Sequence, residues 1–336
     1  MGSEDQLVER TGRVIPSGRS GGSAGGLLLG IGDDAALISP SGKHDWVLTC
    51  DQFLEGVHFL AGSHPPDSVG YKALVRAASD VAAMGGRPRF FLMALALPSS
   101  KTGVWFDEFI RGMSRAARSM GIVLAGGDTS RSPRVSISIT VLGEVAPGKA
   151  LTRAGARPGD IIYVGGRLGG AQLGLELIRH GMGRVPRLRR LLRPHLYPRI
   201  QLELGAWLAR HRIPSAMMDI SDGLSTDLAR LCGASKAGAR VGAGRIPRVS
   251  IPAAISKHLR RLRLDSLKMA LHGGDDYELL FTVPPRHLKR LRGAPGFRGL
   301  AAIGEITRAR RILLVGEDGA AKPLQPRGWD PFRRKS

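Results

Sequence analysis

The sequence predicts a soluble α/β protein built of two domains. The chain has 336 residues, enough for two ordinary domains, and 43% of them are apolar, as in globular proteins. Short apolar runs of strand length alternate with longer segments whose apolar residues recur at helical spacing. Near residue 148 a turn, a strand, a glycine-rich stretch and an amphipathic helix begin a second series of such elements.

The first half predicts four strands and two helices. Short apolar runs typical of strands occupy residues 27–31, 46–50 and 122–125, and residues 135–145 alternate with the period of two of a half-buried strand. One helix is predicted from Asp67, as its N-cap, to a stop at Gly85 and Gly86. A second helix is predicted over 104–121, where aromatic and aliphatic residues recur at helical spacing.

The second half begins with a predicted turn at 157–160. Strands are then expected at 161–164, 216–220 and 277–283, with helices near 173–178 and 226–232. Residues 235–265 predict only loops and a basic helix. The domain organisation expected is a flexible lead-in over 1–26, an N-terminal domain over 27–147 and a C-terminal domain over 148–336.

Composition excludes several classes of protein. No stretch approaches the roughly 20 apolar residues that span a bilayer, and the first residues lack the apolar segment of a signal peptide. The two cysteines, Cys50 and Cys232, are far apart, which argues against a disulfide framework or a thiolate metal site. We therefore expect a cytoplasmic protein with no membrane partner.

The formal net charge of +22 has two interpretations. The densest basic run spans residues 179–212 and contains Arg184, Arg187, Arg189, Arg190 and Arg193. It lacks the interleaved aromatic residues of a single-strand nucleic-acid platform, so a solvated basic face is the favoured interpretation. An anion-attracting surface remains the alternative, and a basic nucleic-acid-binding protein without catalysis is the second class of function considered.

The positions of the aspartates carry most of the functional information. Most follow an apolar run directly or occupy a glycine turn just beyond one: Asp33, Asp34, Asp51, Asp128, Asp219, Asp222, Asp275 and Asp276. Ligands of open α/β sheets bind beyond the carboxyl ends of strands. Carboxylates collected there would repel one another without cations, and such hard oxygen ligands suit Mg²⁺.

Each motif also has a structural interpretation. Asp33 and Asp34 could form a simple turn, Asp222 and Asp227 could charge the start of a helix, and residues 127–129 could be a strand exit. The context of Asp80 favours a functional role instead. It lies among alanines inside a predicted helix, where a buried carboxylate without a compensating partner would be costly.

Two further features are weak on their own. Glycines at 165–170 could cradle a phosphate, but no P-loop or protein-kinase motif is present. His58 is a lone histidine, a residue type that is more often structural.

Six motifs occur in a fixed order: IGDDAAL (31–37), TCDQFLEGVHF (49–59), SDVAAMG (79–85), GGDT (126–129), DISDGL (219–224) and GGDDYEL (273–279). Together they resemble thiamine-monophosphate kinase, a family of the aminoimidazole-ribonucleotide-synthetase-like superfamily. The resemblance runs from about residue 27 to Phe332.

This resemblance implies a two-domain aminoimidazole-ribonucleotide-synthetase-like fold and a homodimer that pairs through the sheets of its N-terminal domains. It implies direct in-line transfer of the ATP γ-phosphoryl group to thiamine monophosphate with several Mg²⁺ ions and no phosphoenzyme. The residues it assigns to the metal are Asp34, Thr49, Cys50, Asp51, Asp80, Asp128, Asp219 and Asp222. Gly127, Asp128, Arg153 and Ser221 would bind ATP, and His58, Asp275 and Trp329 would bind the thiamine substrate. Asp80, Asp219, Asp222 and Arg153 are the residues expected to carry catalysis.

Three departures from the family pattern bear on these roles. Asp275 stands where the family usually has Glu, Cys50 where Ser or Thr is common, and Pro331 where His is frequent. Trp329 could stack on the thiamine rings or merely latch the tail. Other enzymes of the superfamily, with aminoimidazole, selenium or hydrogenase-maturation substrates, are the nearest rivals, and a decayed nucleotide-binding relative is a third possibility.

Overall fold

The computed structural model describes residues 27–29, 33–39, 43–251 and 264–332, which form two compact units. The first contains the described residues up to Thr152, with Gly205–Arg210 and the chain from Asp330. The second contains Arg153–Leu204 and His211–Trp329. The predicted lead-in, 1–26, and residues 252–263, within the segment where a basic helix is predicted, lie outside the described residues.

The first unit contains a six-stranded sheet, two complete helices and residues Gly205–Arg210 of a third. The strands are β1 (Leu27–Leu29), β2 (Ala36–Ile38), β3 (Asp45–Leu54), β4 (Arg87–Leu97), β5 (Val123–Arg131) and β6 (Ser136–Val145), in the order β1-β2-β3-β6-β4-β5. Among the described strands of this unit, β4 and β5 alone pair in parallel. Residues of β6 alternate between buried and half-buried positions, which confirms the strand predicted from their period of two.

The two complete helices of this unit are α1 (Pro66–Ala83) and α2 (Val104–Met120). The prediction that Asp67 caps α1 is wrong: Pro65 occupies the N-cap and Pro66 the first turn, where its fixed φ suits a helix. The Asp67 carboxylate instead accepts a bond from Arg115 Nη2 of α2 at 3.1 Å. The two helices pack closely, since a Cβ on Gly112 would lie 1.8 Å from the Asp67 carbonyl oxygen.

Two strands of the first unit extend further than predicted. Strand β3 pairs with β6 from Asp45 to Leu54, and β5 pairs with β4 up to Arg131. Asp51 and Asp128 therefore lie inside strands, and the expectation that they lie beyond strand ends is wrong. Backbone hydrogen bonds to a neighbouring strand continue the extended conformation past the point where the apolar run stops.

The second unit contains a seven-stranded sheet. Its strands are β7 (Ile161–Val164), β8 (Ala216–Ile220), β9 (Gly238–Gly242), β10 (Glu278–Val283), β11 (Ala301–Thr307), β12 (Ile312–Val315) and β13 (Ala321–Pro323), in the order β13-β12-β9-β11-β7-β10-β8. Strands β7 and β8 have the predicted bounds. Strand β9 corrects the prediction that its segment holds only loops and a helix, because it joins β11 and β12 inside the sheet.

The remaining helices are α3 (Gly170–Arg179), α4 (Arg189–Leu196), α5 (Leu202–Arg210), α6 (Leu224–Ala234), α7 (Ser266–His272) and α8 (Leu288–Leu291). Single 3₁₀ turns occupy Ser99–Lys101, Pro186–Leu188, Ala243–Arg245, Pro285–His287 and Phe297–Gly299. The core of the second unit is formed by apolar residues of β7, β8, β9, β10 and β11 together with those of α6 and α7. Among the described helices, none is long and apolar enough to cross a bilayer.

Over the residues that the structure describes, both sheets are mainly antiparallel, and each has one parallel strand pair, β4–β5 in the first and β9–β12 in the second. Carboxyl ends of adjacent antiparallel strands point in opposite directions. The argument that the aspartates collect beyond the carboxyl ends of strands is therefore wrong for Asp51, Asp128 and Asp219, which lie within strands. Their placement depends on which face of each strand or turn carries them.

The arginines of the basic run lie at the surface. Arg184, Arg187, Arg189, Arg190 and Arg193 are all exposed, while Leu188, Leu192 and Leu196 pack into a buried cluster with α3. This arrangement fits the solvated basic face favoured by the sequence. Apolar residues of the segment hold it on the unit, and the guanidinium groups stay in water.

Candidate functional site

A hydroxyl–carboxylate pair lies between β3 and α1 in the first unit. Thr49 Oγ1 donates a hydrogen bond to Asp80 Oδ2 at 2.5 Å. Thr49 is buried and Asp80 half-buried. The alanines around Asp80 let α1 approach the sheet closely enough for this contact. Two residues that the family resemblance assigns to the metal are thus in direct contact, although 31 positions separate them.

Asp51 and Cys50 follow Thr49 on β3. Asp51 Oδ2 accepts a hydrogen bond from Arg76 Nε of α1 at 3.0 Å, and both side chains are partly exposed. Cys50 is exposed, and its Sγ lies 3.3 Å from the Thr140 hydroxyl. Alternation along β3 places Thr49 and Asp51 on the face that carries α1 and Cys50 on the other.

Asp128 lies on the edge strand β5, opposite Ala94 of β4. It is exposed, and its Oδ2 accepts a bond from Ser130 Oγ at 3.3 Å. The neighbouring Gly127 has a structural reason to be glycine, because a Cβ there would lie 1.9 Å from the Met93 carbonyl oxygen. A role for Gly127 in ATP binding stays a prediction.

Asp34 and His58 belong to loops of the first unit. Asp34 is half-buried, and its backbone N–H donates to Asp33 Oδ1 at 2.9 Å. His58 Nδ1 accepts the backbone N–H of Leu54 at 2.9 Å, and its ring stacks on Phe53. Because Nδ1 is an acceptor, the neutral ring carries its proton on Nε2. A role for His58 in binding the thiamine substrate stays a prediction.

A tight turn at 221–223 organises the second unit's candidate residues. Asp227 is fully buried, and its Oδ2 accepts the backbone N–H groups of Asp222 and Gly223, each at 3.0 Å. Arg230 Nη1 contacts Asp222 Oδ2 at 2.5 Å and Asp227 Oδ1 at 3.3 Å. Burial raises the pKa of Asp227 well above its usual value, Asp222 and Asp219 raise this pKa further, and Arg230 acts against them.

The turn also receives two segments that carry predicted substrate residues. The backbone N–H of Asp275 donates to the Ser221 carbonyl at 2.7 Å, and that of Trp329 donates to the Asp222 carbonyl at 2.8 Å. Asp275 has a positive φ of 68°, unusual for a residue with a side chain, and its carboxylate accepts a bond from Tyr277 Oη at 2.7 Å. The structure therefore brings Ser221, Asp222, Asp275 and Trp329 together.

Asp219 and Arg153 are candidate residues of the second unit that lie outside the 221–223 turn itself. Asp219 is only 2% exposed on β8, opposite Leu279 of β10. Its charge acts on the Asp227 pKa, which places it beside the same turn. Arg153 is half-buried, and its carbonyl accepts a bond from Ser235 Oγ at 3.2 Å.

The glycine stretch at 165–170 has a different role from the phosphate cradle considered for it. Asp276 accepts the backbone N–H groups of Gly169 and Ala171 at 2.6 and 3.2 Å. A Cβ on Gly166 would lie 2.5 Å from Glu278 Oε1, so this stretch closes over a second carboxylate. The chain's own carboxyl group occupies these donors, which corrects the cradle interpretation.

Asp276 and Glu278 are unusual acids. Burial raises the pKa of Asp276 to about 7, although the Gly169 and Ala171 N–H groups oppose the shift. Burial also raises the pKa of Glu278 to about 7, against a hydrogen bond from Gln201. The sequence places both within the GGDDYEL motif but gives no sign of their altered acidity.

The donor set suits a hard cation. Every side chain assigned to the metal except Cys50 offers a hydroxyl or carboxylate oxygen, the ligand type that Mg²⁺ prefers. Cys50 fits this set poorly, because a thiol is a soft ligand. Among the described residues, no three His, Cys, Asp or Glu side chains form a preassembled metal-binding group. The proposal that residues of both units share one metal site stays a prediction.

Comparisons with known proteins place this chain. Residues 32–145 match the model of "AIR synthase related protein, N-terminal domain", and residues 157–316 match that of the corresponding C-terminal domain. The thiamine-monophosphate kinase of Escherichia coli (strain K12) is 35% identical over 308 residues, covering 90% of this chain and 92% of that protein. The chain belongs to the thiamine-monophosphate kinase family. The Bacillus subtilis (strain 168) member is 30% identical over 91% of this chain and 94% of its own length.

Solved structures agree with this membership. The structure described as "AaThiL complexed with AMPPCP and TMP" has a TM-score of 0.83 and 30% identity, covering 98% of this chain and 97% of that one. The thiamine-monophosphate kinase of Stenotrophomonas maltophilia K279a has a TM-score of 0.72 and 33% identity, covering 94% and 96%. A hydrogenase maturation protein, at 21% identity and a TM-score of 0.67, shares the fold. The predicted two-domain synthetase-like fold and the kinase class are confirmed.

Proposed function

We propose that this kinase transfers the γ-phosphoryl group of ATP directly to the phosphate of thiamine monophosphate, producing thiamine diphosphate. The observation that carries the proposal is the similarity over 98% of the chain to a structure complexed with AMPPCP and TMP. The contact between Thr49 and Asp80 supports it, because two residues assigned to the metal by sequence motifs far apart are neighbours.

Several Mg²⁺ ions would be held by oxygen donors of both units. Asp34, Thr49, Asp51, Asp80 and Asp128 would supply them from the first unit, and Asp219 and Asp222 from the second. When bound, such ions neutralise the charge of phosphate oxygens and help to align the donor and acceptor groups.

The protein's own residues bind and orient the substrates. His58 would contact the thiamine substrate, as would Asp275 and Trp329, whose backbones are hydrogen-bonded to the 221–223 turn. Stacking of Trp329 on the cationic thiazolium ring contributes on the order of 1–2 kcal/mol in a desolvated site. Arg153 would hold ATP phosphate oxygens, with Gly127 and Ser221 as further ATP contacts. The acceptor phosphate is largely ionised at neutral pH, so no strong general base is needed.

The assembly proposed is a homodimer that pairs through the first unit's sheet. Strand β5 lies at the sheet edge, and all nine of its residues are exposed. The exposed apolar residues of β4 and β5 include Phe90, Leu92, Val123 and Leu124, which are 43–58% exposed. An apolar edge of this kind favours contact with another sheet.

A cytoplasmic location is also proposed for this kinase, since both cysteines are free thiols.

The decisive experiment incubates the purified protein with ATP, Mg²⁺ and thiamine monophosphate and follows thiamine diphosphate by chromatography. We expect stoichiometric formation of thiamine diphosphate and ADP. Formation of AMP, or ATP hydrolysis without thiamine diphosphate, would contradict the proposal. Omitting Mg²⁺ should abolish turnover, and thiamine in place of its monophosphate should not be phosphorylated.

A further inference from the structure

The 221–223 turn is the point at which four candidate residues of the second unit meet. Ser221 and Asp222 belong to the turn, and the backbones of Asp275 and Trp329 are hydrogen-bonded to it. Any change in this backbone would alter the ATP, metal and thiamine contacts together. The side chains that fix the backbone of this turn therefore affect the binding of both substrates.

Asp227 is the main support of the turn. It is fully buried in the first turn of α6, and its Oδ2 accepts the N–H groups of Asp222 and Gly223 at 3.0 Å each. Gly223, with a φ of 108°, makes the sharp bend possible. The Asp227 carboxylate thus binds the backbone N–H groups of two consecutive residues. They are Asp222, whose side chain is the proposed metal ligand, and Gly223.

Arg230 connects this support to the Asp222 side chain. Its Nη1 contacts Asp222 Oδ2 at 2.5 Å and Asp227 Oδ1 at 3.3 Å, and all three side chains are at most 20% exposed. One guanidinium nitrogen therefore fixes the Asp222 carboxylate relative to the backbone that Asp227 holds. Carboxylate ligands of metal sites are commonly oriented by hydrogen bonds of this kind.

We propose that Asp227 and Arg230 are a positioning pair that fixes the Asp222 carboxylate for binding Mg²⁺ with ATP. The inference rests on the proposed function of Asp222. Neither residue is a proposed ligand: Asp227 acts through the backbone of the turn, and Arg230 acts through the carboxylate itself.

Helix capping is the alternative role for Asp227, and the chain contains a matched control. Asp265 caps α7, and its Oδ1 accepts the N–H groups of Leu267 and Lys268 at 2.9 and 3.2 Å. It makes the same kind of contact, one carboxylate oxygen with two backbone N–H groups. Asp265→Asn therefore reports the effect of losing a capping charge alone.

The test compares Asp227→Asn, Arg230→Lys and Asp265→Asn with the unaltered protein. One measurement is the Mg²⁺ concentration for half-maximal activity at saturating ATP and thiamine monophosphate. The other is the rise in melting temperature that Mg²⁺ and AMPPCP produce without thiamine monophosphate, which does not depend on turnover. Loss of groups that orient metal ligands typically weakens metal binding about 10- to 100-fold.

We expect Asp227→Asn to raise the half-saturating Mg²⁺ concentration by at least about tenfold and to reduce the nucleotide-induced melting shift. Arg230→Lys keeps a cation but on a shorter side chain, which reaches the two carboxylates less closely, and it should show a smaller effect in the same direction. Asp265→Asn should lower the basal melting temperature without changing the Mg²⁺ requirement or the nucleotide-induced melting shift.

If Asp227→Asn does not fold, Arg230→Lys decides. An unchanged Mg²⁺ requirement and melting shift in Arg230→Lys, or in a folded Asp227→Asn, would overturn the proposal. If the unaltered protein makes no thiamine diphosphate, the proposed function fails, and the melting shift still tests the pair.

Discussion

Neutralising Asp80 separates its proposed metal role from its part in holding the fold. In the structure, the Thr49 hydroxyl donates a hydrogen bond to Asp80 Oδ2 at 2.5 Å. Asp80→Asn keeps an oxygen that can accept this hydrogen bond and removes only the negative charge. Charge-assisted hydrogen bonds are roughly twice as strong as neutral ones, which contribute about 0.5–1.5 kcal/mol each. The expected loss of unfolding free energy is therefore about 1 kcal/mol. In a unit of 150–250 residues this lowers the melting temperature by roughly 2–4 °C.

The effect on turnover should be much larger. A carboxylate that neutralises bound cations cannot be replaced by a neutral amide, and we expect kcat to fall at least about 100-fold, or about 2.7 kcal/mol of activation free energy. The assays are thiamine diphosphate formation and thermal unfolding on the same preparation. Asp67→Asn is the control on the same helix, because it breaks a partly exposed ion pair with Arg115. That ion pair contributes about 0.2–1 kcal/mol to the unfolding free energy. Asp67→Asn should therefore lower stability about as much as Asp80→Asn does, but it should leave turnover unchanged. Near-normal kcat and Mg²⁺ dependence in Asp80→Asn would refute the metal assignment.

Three further predictions concern Trp329, the buried acids Asp276 and Glu278, and Gly127. Trp329→Ala should raise KM for thiamine monophosphate more than KM for ATP, and equal increases would instead indicate that the tail is only latched to the unit. The pKa values of Asp276 and Glu278 are raised to about 7, so the folded state holds these protons more tightly than the unfolded chain. The unfolding free energy should therefore fall as pH rises from about 4 to about 7, and Glu278→Gln should flatten this dependence in urea titrations; an unchanged slope would contradict the burial argument. Gly127→Ala should lower the melting temperature even without nucleotide, because the new Cβ would lie 1.9 Å from the Met93 carbonyl oxygen, and a purely nucleotide-binding role would leave the ligand-free protein unchanged.

The sequence predicted well where a local period or a motif carries the signal. The alternation of residues 135–145 and the helical spacing of residues 104–121 both correspond to observed elements, β6 and α2. It failed where a neighbouring segment decides the outcome. β4 was not predicted: its apolar run, residues 90–97, suits a strand or a buried helix equally, and pairing with β6 and β5 makes it a strand inside the sheet.

The candidate site divides in the same way. Thr49, Asp80 and Asp222 could be named from the ordered motifs, and Trp329 from the family resemblance of the tail. Arg230 could not, since it belongs to no motif, and its importance follows from its contacts with Asp222 and Asp227. The role of the glycines at 165–170 was also hidden, because the carboxylate that occupies their N–H groups lies 107 positions away.

By itself, the sequence determined the family, the order of the chemical motifs and the kinds of ligand atom that the site can offer. These depend on residue identity and on spacing within a few turns of chain. Only the tertiary structure decided that Asp51 and Asp128 lie within strands, that Asp276 occupies the glycine stretch, and that one turn gathers Ser221, Asp222, Asp275 and Trp329. The physical reason is that hydrogen bonds and burial between distant segments select among the local conformations that a short stretch of sequence allows.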